Sequence, residues 1–231
     1  QYYNIDTHKT IDFIKKETIY KSGHTYNKKT LAKISAIVPV HIWGNACFLD
    51  ELLMLCKERN INVVEDASES LGTHYIDGLY KSKHTGTVGS LGCISFNGNK
   101  IITSGGGGMI LTDDQTLAEK ARYLTTTAKD DAIYYVHDEV GYNFRLTNIQ
   151  AALGVAQLER LDEFVDKKRW IGNCYNELLS ELPNLVLPCS RTEYADNIFW
   201  VYGILLDDSI PFDASEAIRR LATLGIGSRP F

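Results

Sequence analysis

Two short apolar runs flank an amphipathic stretch in the first third of the chain, and this rhythm limits the possible folds more than any other feature. Residues 36–41 (AIVPVH) form one run, and residues 61–65 (INVVE), ending at Asp66, form the other. Between them, Leu49, Leu52, Leu53 and Cys56 share one face of a helix expected at 48–59. A strand, a helix and a strand in that order predict a parallel pair joined by a crossover, and so an α/β sheet covered by helices. Residues 91–96 (LGCISF) and 108–112 (GMILT) predict two more strands. A helix is expected over 114–124, with Asp113 as its N-cap.

Thr147-Asn148-Ile149-Gln150 has the spacing of a capping box, in which the Thr hydroxyl meets the N3 amide and Gln reaches back. A long helix should start there, with Ile149, Leu153, Ala156 and Phe164 among its apolar positions, and run with a break to near 180. Pro183 and Pro188 then mark a change of character, with strand-like segments at 185–187 and 199–206. Asp213-Ala214-Ser215-Glu216 is a second capping-box candidate, opening a helix that Gly225 ends. The expected division is a large α/β domain over 1–180 and the start of a small α+β domain over 181–231.

Composition removes several function classes. Of 231 residues, 44% are apolar, enough for a sizeable core, and the net charge of −5 is opposite to a nucleic-acid footprint. No apolar run approaches the roughly 18–20 residues that span a bilayer, and no secretory signal opens the chain. Five scattered cysteines without a C-x-x-C suggest neither a disulfide framework nor a zinc site, and fit a reducing cytoplasm. The chain starts at Gln1 and stops at Phe231 within an R-P-F segment, which reads as part of a longer protein.

Chemistry concentrates in three places. Asp66 ends a strand, where open α/β sheets bind ligands, although a helix cap or loop carboxylate is the competing reading. Ser95 lies near the end of another strand, and Lys100 follows that strand through a Gly-containing turn. Beside Ile101 and Ile102 the lysine should be desolvated, which frees an amine as a nucleophile. Gly105–Gly108 then suggest close approach of the backbone to a ligand or another chain, or else a flexible hairpin loop. Neither G-x-G-x-x-G after the first strand nor a P-loop spacing is present. An acid for a pyridinium nitrogen, a hydroxyl for a phosphate and a lysine for an aldehyde are the parts of a pyridoxal phosphate site.

Val64-Glu65-Asp66-Ala67, Ser95-Phe96-Asn97-Gly98-Asn99-Lys100 and Gly141-Tyr142-Asn143-Phe144-Arg145-Leu146-Thr147-Asn148 resemble the DegT-like nucleotide-sugar aminotransferases in order and separation. The runs NGNKIITSGGGGM, TTTAKDD (125–131) and PVHIWGN (39–45) are similar to the branch acting on UDP- or GDP-linked 4-keto-6-deoxy amino sugars, on routes to bacillosamine or legionaminic acid. The resemblance implies a cytoplasmic, pyridoxal-phosphate-dependent transferase of fold type I. It also implies a homodimer with composite sites and ping-pong transfer from L-glutamate to a nucleotide-linked keto sugar, for surface glycan biosynthesis.

By the same resemblance, Lys100 carries the cofactor, Asp66 pairs with the pyridinium nitrogen and Ser95 contacts the phosphate. Asn143 reaches the phosphate of the neighbouring subunit's cofactor, with Arg145 nearby. Glu69 stands beside the ring, where relatives often carry Gln or His. His41, Trp43 and His137 are candidates for the sugar site, with a satisfied structural histidine the competing reading for each His. Relatives carry a further N-terminal region of about a hundred residues, by typical domain size, so the site is expected to be incomplete here. Two other readings remain open. One is a family dehydratase, in which histidine replaces the lysine, against which Lys100 argues. The other is a silent cofactor-binding regulatory or scaffold protein.

Overall fold

The computed structural model describes residues 3–131 and 133–230. It opens with elements that the periodicity above did not reveal. Helix α1 (Thr7–Glu17) is capped by Asp6, whose carboxylate accepts from the Lys9 N–H at 2.9 Å. Strands β1 (Thr18–Lys21), β2 (His24–Asn27) and β3 (Lys33–Ile34) follow as an antiparallel sheet in that order. The β1–β2 turn is Ser22-Gly23, with φ of 52° and 77°. Positive φ at both central residues is what a two-residue hairpin demands, and Gly adopts it without strain.

The strand–helix–strand prediction holds. The second sheet has the order β4 (Ala36–Ile37), β5 (Asn62–Asp66), β6 (Leu91–Ser95), β7 (Gly108–Leu111). The first three strands run parallel, and β7 returns antiparallel to β6. The run at 36–41 pairs for only two residues before Pro39, and contact resumes as a bridge between Val40 and Asp66. Helix α2 (Asp50–Glu58) is the crossover. Its Leu52, Leu55 and Cys56 pack with Ile11 and Ile14 of α1 and with Ile61 and Val63.

Helix α3 (Gln115–Thr125) begins one residue later than expected. Asp114, not Asp113, is its cap and accepts from the Leu117 N–H at 3.0 Å. The Thr147 capping box forms in full, and the expected break divides the long helix into α4 (Asn148–Leu158) and α5 (Leu161–Leu179). Two-residue strands β8 (Leu185–Val186) and β9 (Leu205–Leu206) pair antiparallel. Helix α6 (Ala214–Thr223) is capped by Asp213, and Gly225 follows it with φ 74°. The second capping box is only half made, because the Glu216 carboxylate turns to Arg219 and Arg220 instead of the cap.

The two sheet faces differ, and the difference places the site. Val63, Glu65, Ala67, Ile94 and Phe96 alternate onto one face and are buried. Val64, Asp66, Cys93 and Ser95 alternate onto the other and are half-buried. Since Asp66 is paired with Cys93 in the parallel β5–β6 register, Asp66 and Ser95 share that more open face.

Candidate active site

Asp66 closes β5, and its Oδ1 accepts from the Ser68 N–H at 3.1 Å and the Ser68 hydroxyl at 2.5 Å. Among the described residues, Oδ2 has no hydrogen-bond partner. The chain then turns, so that Glu69 meets Lys100, with Oε1 3.7 Å from Nζ. That pair joins the loop after β5 to the loop after β6. It brings Asp66, Glu69, Ser95 and Lys100 to the carboxyl ends of two adjacent parallel strands.

The Lys100 side chain is only 13% exposed, as expected of a lysine followed by two isoleucines, and Ile102 is buried. The Lys100 N–H donates to the Asn97 carbonyl at 3.1 Å, closing the turn, and the Ser95 hydroxyl accepts from the Asn97 N–H at 3.3 Å. The Glu69 carboxylate is held from behind, since the Trp43 backbone N–H donates to Oε2 at 2.9 Å. Trp43 is half-buried in a short turn (Ile42–Gly44) against the Tyr3 ring, with centroids 4.8 Å apart.

His41 does not line the open side. Its side chain is wholly buried, Nε2 lies 2.9 Å from Glu65 Oε2, and Nδ1 accepts from the Cys47 N–H at 2.9 Å. Both nitrogens are used, so His41 is a structural histidine. Its partner, Glu65, is also fully buried and was not singled out by sequence. Glu65 accepts from the N–H groups of Gly86 (2.8 Å), Val88 (2.8 Å) and Gly89 (2.7 Å). Burial alone would raise its pKa, but the hydrogen bond from His41 and the N–H groups of Gly89 and Gly86 outweigh it and hold the carboxylate below the ordinary value. One residue before Asp66, Glu65 thus ties the 86–89 loop under the sheet end.

The second half of the glycine run is required by the chain's own packing. A Cβ on Gly107 (φ 84°) would lie 2.6 Å from Leu146, and one on Gly108 would lie 2.5 Å from the Ile94 carbonyl oxygen. Gly105 and Gly106 differ, since a Cβ on Gly105 would meet nothing within 4 Å and one on Gly106 only the Gln150 side chain at 3.9 Å. The run turns β6 into β7 and lets Leu146, just before α4, lie against it, while at the far end of α4 Gln157 Oε1 accepts from the Thr103 N–H at 3.0 Å.

Asn143 and Arg145 are exposed, and neither contacts Lys100, Asp66, Glu69 or Ser95 among the described residues. Their loop is nevertheless fixed. Tyr142 and Phe144 donate backbone N–H groups to the Leu124 and Thr125 carbonyls, and the Thr147 cap closes its far end. His137 is exposed, and its Nδ1 lies 2.8 Å from the Thr127 carbonyl and 3.1 Å from that of Ala128. It fastens this same loop to the chain just past the end of α3.

Residues 1–231 match the DegT/DnrJ/EryC1/StrS aminotransferase family. The chain belongs to that family. EpsN of Bacillus subtilis is 42% identical over 198 residues, which cover 84% of this chain and 48% of that protein. The GDP-perosamine synthase of Caulobacter vibrioides is 39% identical over 198 residues, covering 86% of this chain and 52% of its own length. The chain thus spans about half the length of the curated relatives it matches. A solved DegT/DnrJ/EryC1/StrS aminotransferase from Brucella abortus superposes with a TM-score of 0.81 at 22% identity, covering 98% of this chain and 55% of that one. This likeness concerns the fold, and it agrees with the transferase architecture expected from the sequence. Within this family member, Lys100 and Asp66 lie in the loops at the carboxyl ends of β6 and β5.

Proposed function

We propose that this chain supplies the lysine-bearing part of a pyridoxal-phosphate-dependent aminotransferase. Its amino donor is L-glutamate, and its acceptor is the 4-keto group of a UDP- or GDP-linked 4-keto-6-deoxy sugar. The observation that carries the reading is Lys100, nearly desolvated and 3.7 Å from Glu69, beside an Asp66 with one free carboxylate oxygen. The residues suit the cofactor: an acid and a hydroxyl on one sheet face, and an amine beyond the turn. The acceptor class is supported by the relative named as a GDP-perosamine synthase.

Pyridoxal phosphate, when bound, supplies an electron sink for the substrate carbon. The protein's tasks are then distinct. The Asp66 carboxylate would keep the ring nitrogen protonated, and the Ser95 hydroxyl would hold the phosphate. The Lys100 amine, once free, would carry the proton between the substrate carbon and the cofactor's C4′ carbon, as base and then as acid within each half-reaction. Asn143 and Arg145, exposed on a braced loop, serve the site of a second copy, which makes the working unit a homodimer with shared sites. Borohydride reduction of the protein with pyridoxal phosphate, followed by peptide mapping, should label Lys100. Label on another lysine would overturn the assignment.

A further inference from the structure

We infer that Trp200 is a positioning residue for Lys100 and that it forms, with Glu69, a dock for the free ammonium. This deepens the reading of Lys100 as the cofactor lysine and rests on it. Trp200 lies one hundred residues downstream, in the segment after α5, and is 8% exposed. The Lys100 Nζ sits 3.8 Å from the centroid of its ring, well within cation–π range. On its other contact, Glu69 Oε1 is 3.7 Å away, too far for a good charged hydrogen bond, so its attraction is mainly Coulombic. An ammonium this poorly solvated needs such partners.

The indole also grips the lysine at its root. Its Nε1–H donates to the carbonyl of Asn99, the residue before Lys100, at 2.7 Å. One side chain therefore fixes both the backbone from which Lys100 springs and the charge at its tip. The ring itself is anchored, because the Trp200 backbone N–H donates to the Trp43 carbonyl at 3.0 Å. Trp43 uses its own N–H to hold Glu69, so the two walls of the dock share one peptide unit's neighbourhood. Trp43 adopts a left-handed φ of 58°, which turns its N–H and C=O to these separate partners. The next residue, Gly44 (φ 92°), has no room for a Cβ against Ile198. Once the freed Lys100 amine has taken up the proton from the substrate carbon, the dock would hold the resulting ammonium within the site.

The test is competitive acetylation of Lys100 in the full chain without added cofactor, at neutral pH, with trace acetic anhydride and mass spectrometry. Trp200→Leu removes both ring face and N–H, and should speed acetylation about 5-fold by releasing the ammonium. Glu69→Gln should speed it too. Trp200→Phe keeps the ring face and should stay within about 2-fold of the original rate. This rescue by a conservative variant is what a purely structural tryptophan would not give. Thermal melting checks that each variant is folded; if Trp200→Leu is not, the other two decide. An unchanged rate in Glu69→Gln, or a Trp200→Phe rate equal to that of Trp200→Leu, overturns the dock. Borohydride mapping of the same preparations separates the two readings. Label away from Lys100 defeats the cofactor assignment, while the acetylation rates judge the dock in either case.

Discussion

The carboxyl end of the β5–β6 pair and the stretch from Thr126 to Leu158 are built on opposite plans. At the sheet end, nearly every polar group is spoken for inside the chain. Glu65 takes three backbone N–H groups and His41, and Glu69 takes Lys100 and Trp43. In the other stretch, α4 has no buried residue although it is an apolar helix, with Ile149 85% and Val155 56% exposed. Asn143 and Arg145 stand beside it, exposed on a loop that is braced at both ends. The contrast separates two kinds of order. One region is held by its own interior, while the other is rigid in backbone yet offers its side chains outward.

The comparison can be broken most sharply at Glu65. Glu65→Gln places an amide N–H₂ among groups that are all donors, and should cost about 2–3 kcal/mol, the penalty of leaving buried donors without their acceptor. Denaturant unfolding measures it. The direction with pH also follows. A carboxylate whose folded pKa is depressed stabilises the fold above its unfolded value and loses that stabilisation as pH falls through the folded one. The gap between the two proteins should therefore narrow below about pH 4. A gap that stays constant with pH would show that the carboxylate charge is not what holds the 86–89 loop.

A smaller effect is expected at Thr147. Thr147→Ala removes one half of a complete capping box on an exposed helix, which should cost about 1 kcal/mol. Denaturant midpoints check this. If the loss matches that at Glu65, the outward region is held as tightly as the sheet end and the contrast fails.

The smallest stability change is expected for Asn143→Ala with Arg145→Ala, within about 0.5 kcal/mol, because exposed groups contribute little to the fold. Activity should still fall if they act across a dimer. Mixing this double variant with Lys100→Ala in the intact protein then sharpens the picture. Each mixed dimer should regain one complete site, since one of its two sites collects both defects. Mixed dimers that form and remain inactive would place Asn143 and Arg145 in their own subunit's site.

Much of this was legible where the signal is local. The parallel β4–β5 pair, the crossover α2 and the Thr147 cap follow from apolar spacing and from side chains that bond three residues away. The Ser22-Gly23 hairpin carried an equally local turn signal that the strand search passed over. Asp113 against Asp114 is the limit of such reasoning, because two adjacent aspartates present the same chemistry and only the backbone angle selects one.

Sequence alone determined that Asp66 and Ser95 lie at or near strand ends and that Lys100 follows a turn into apolar chain, because strand period and turn chemistry act over a few residues. Only the tertiary structure decided what surrounds them. The burial of His41 depends on Glu65 across 24 residues, and the glycine run depends on Leu146. The seat of the Lys100 ammonium depends on Trp200, whose indole reaches Asn99 across 101 residues. Contacts of that span leave no periodic trace in the chain. They arise when burial of the core closes the long loops between them, and a tryptophan in an apolar run reads simply as core until the lysine is found against its face.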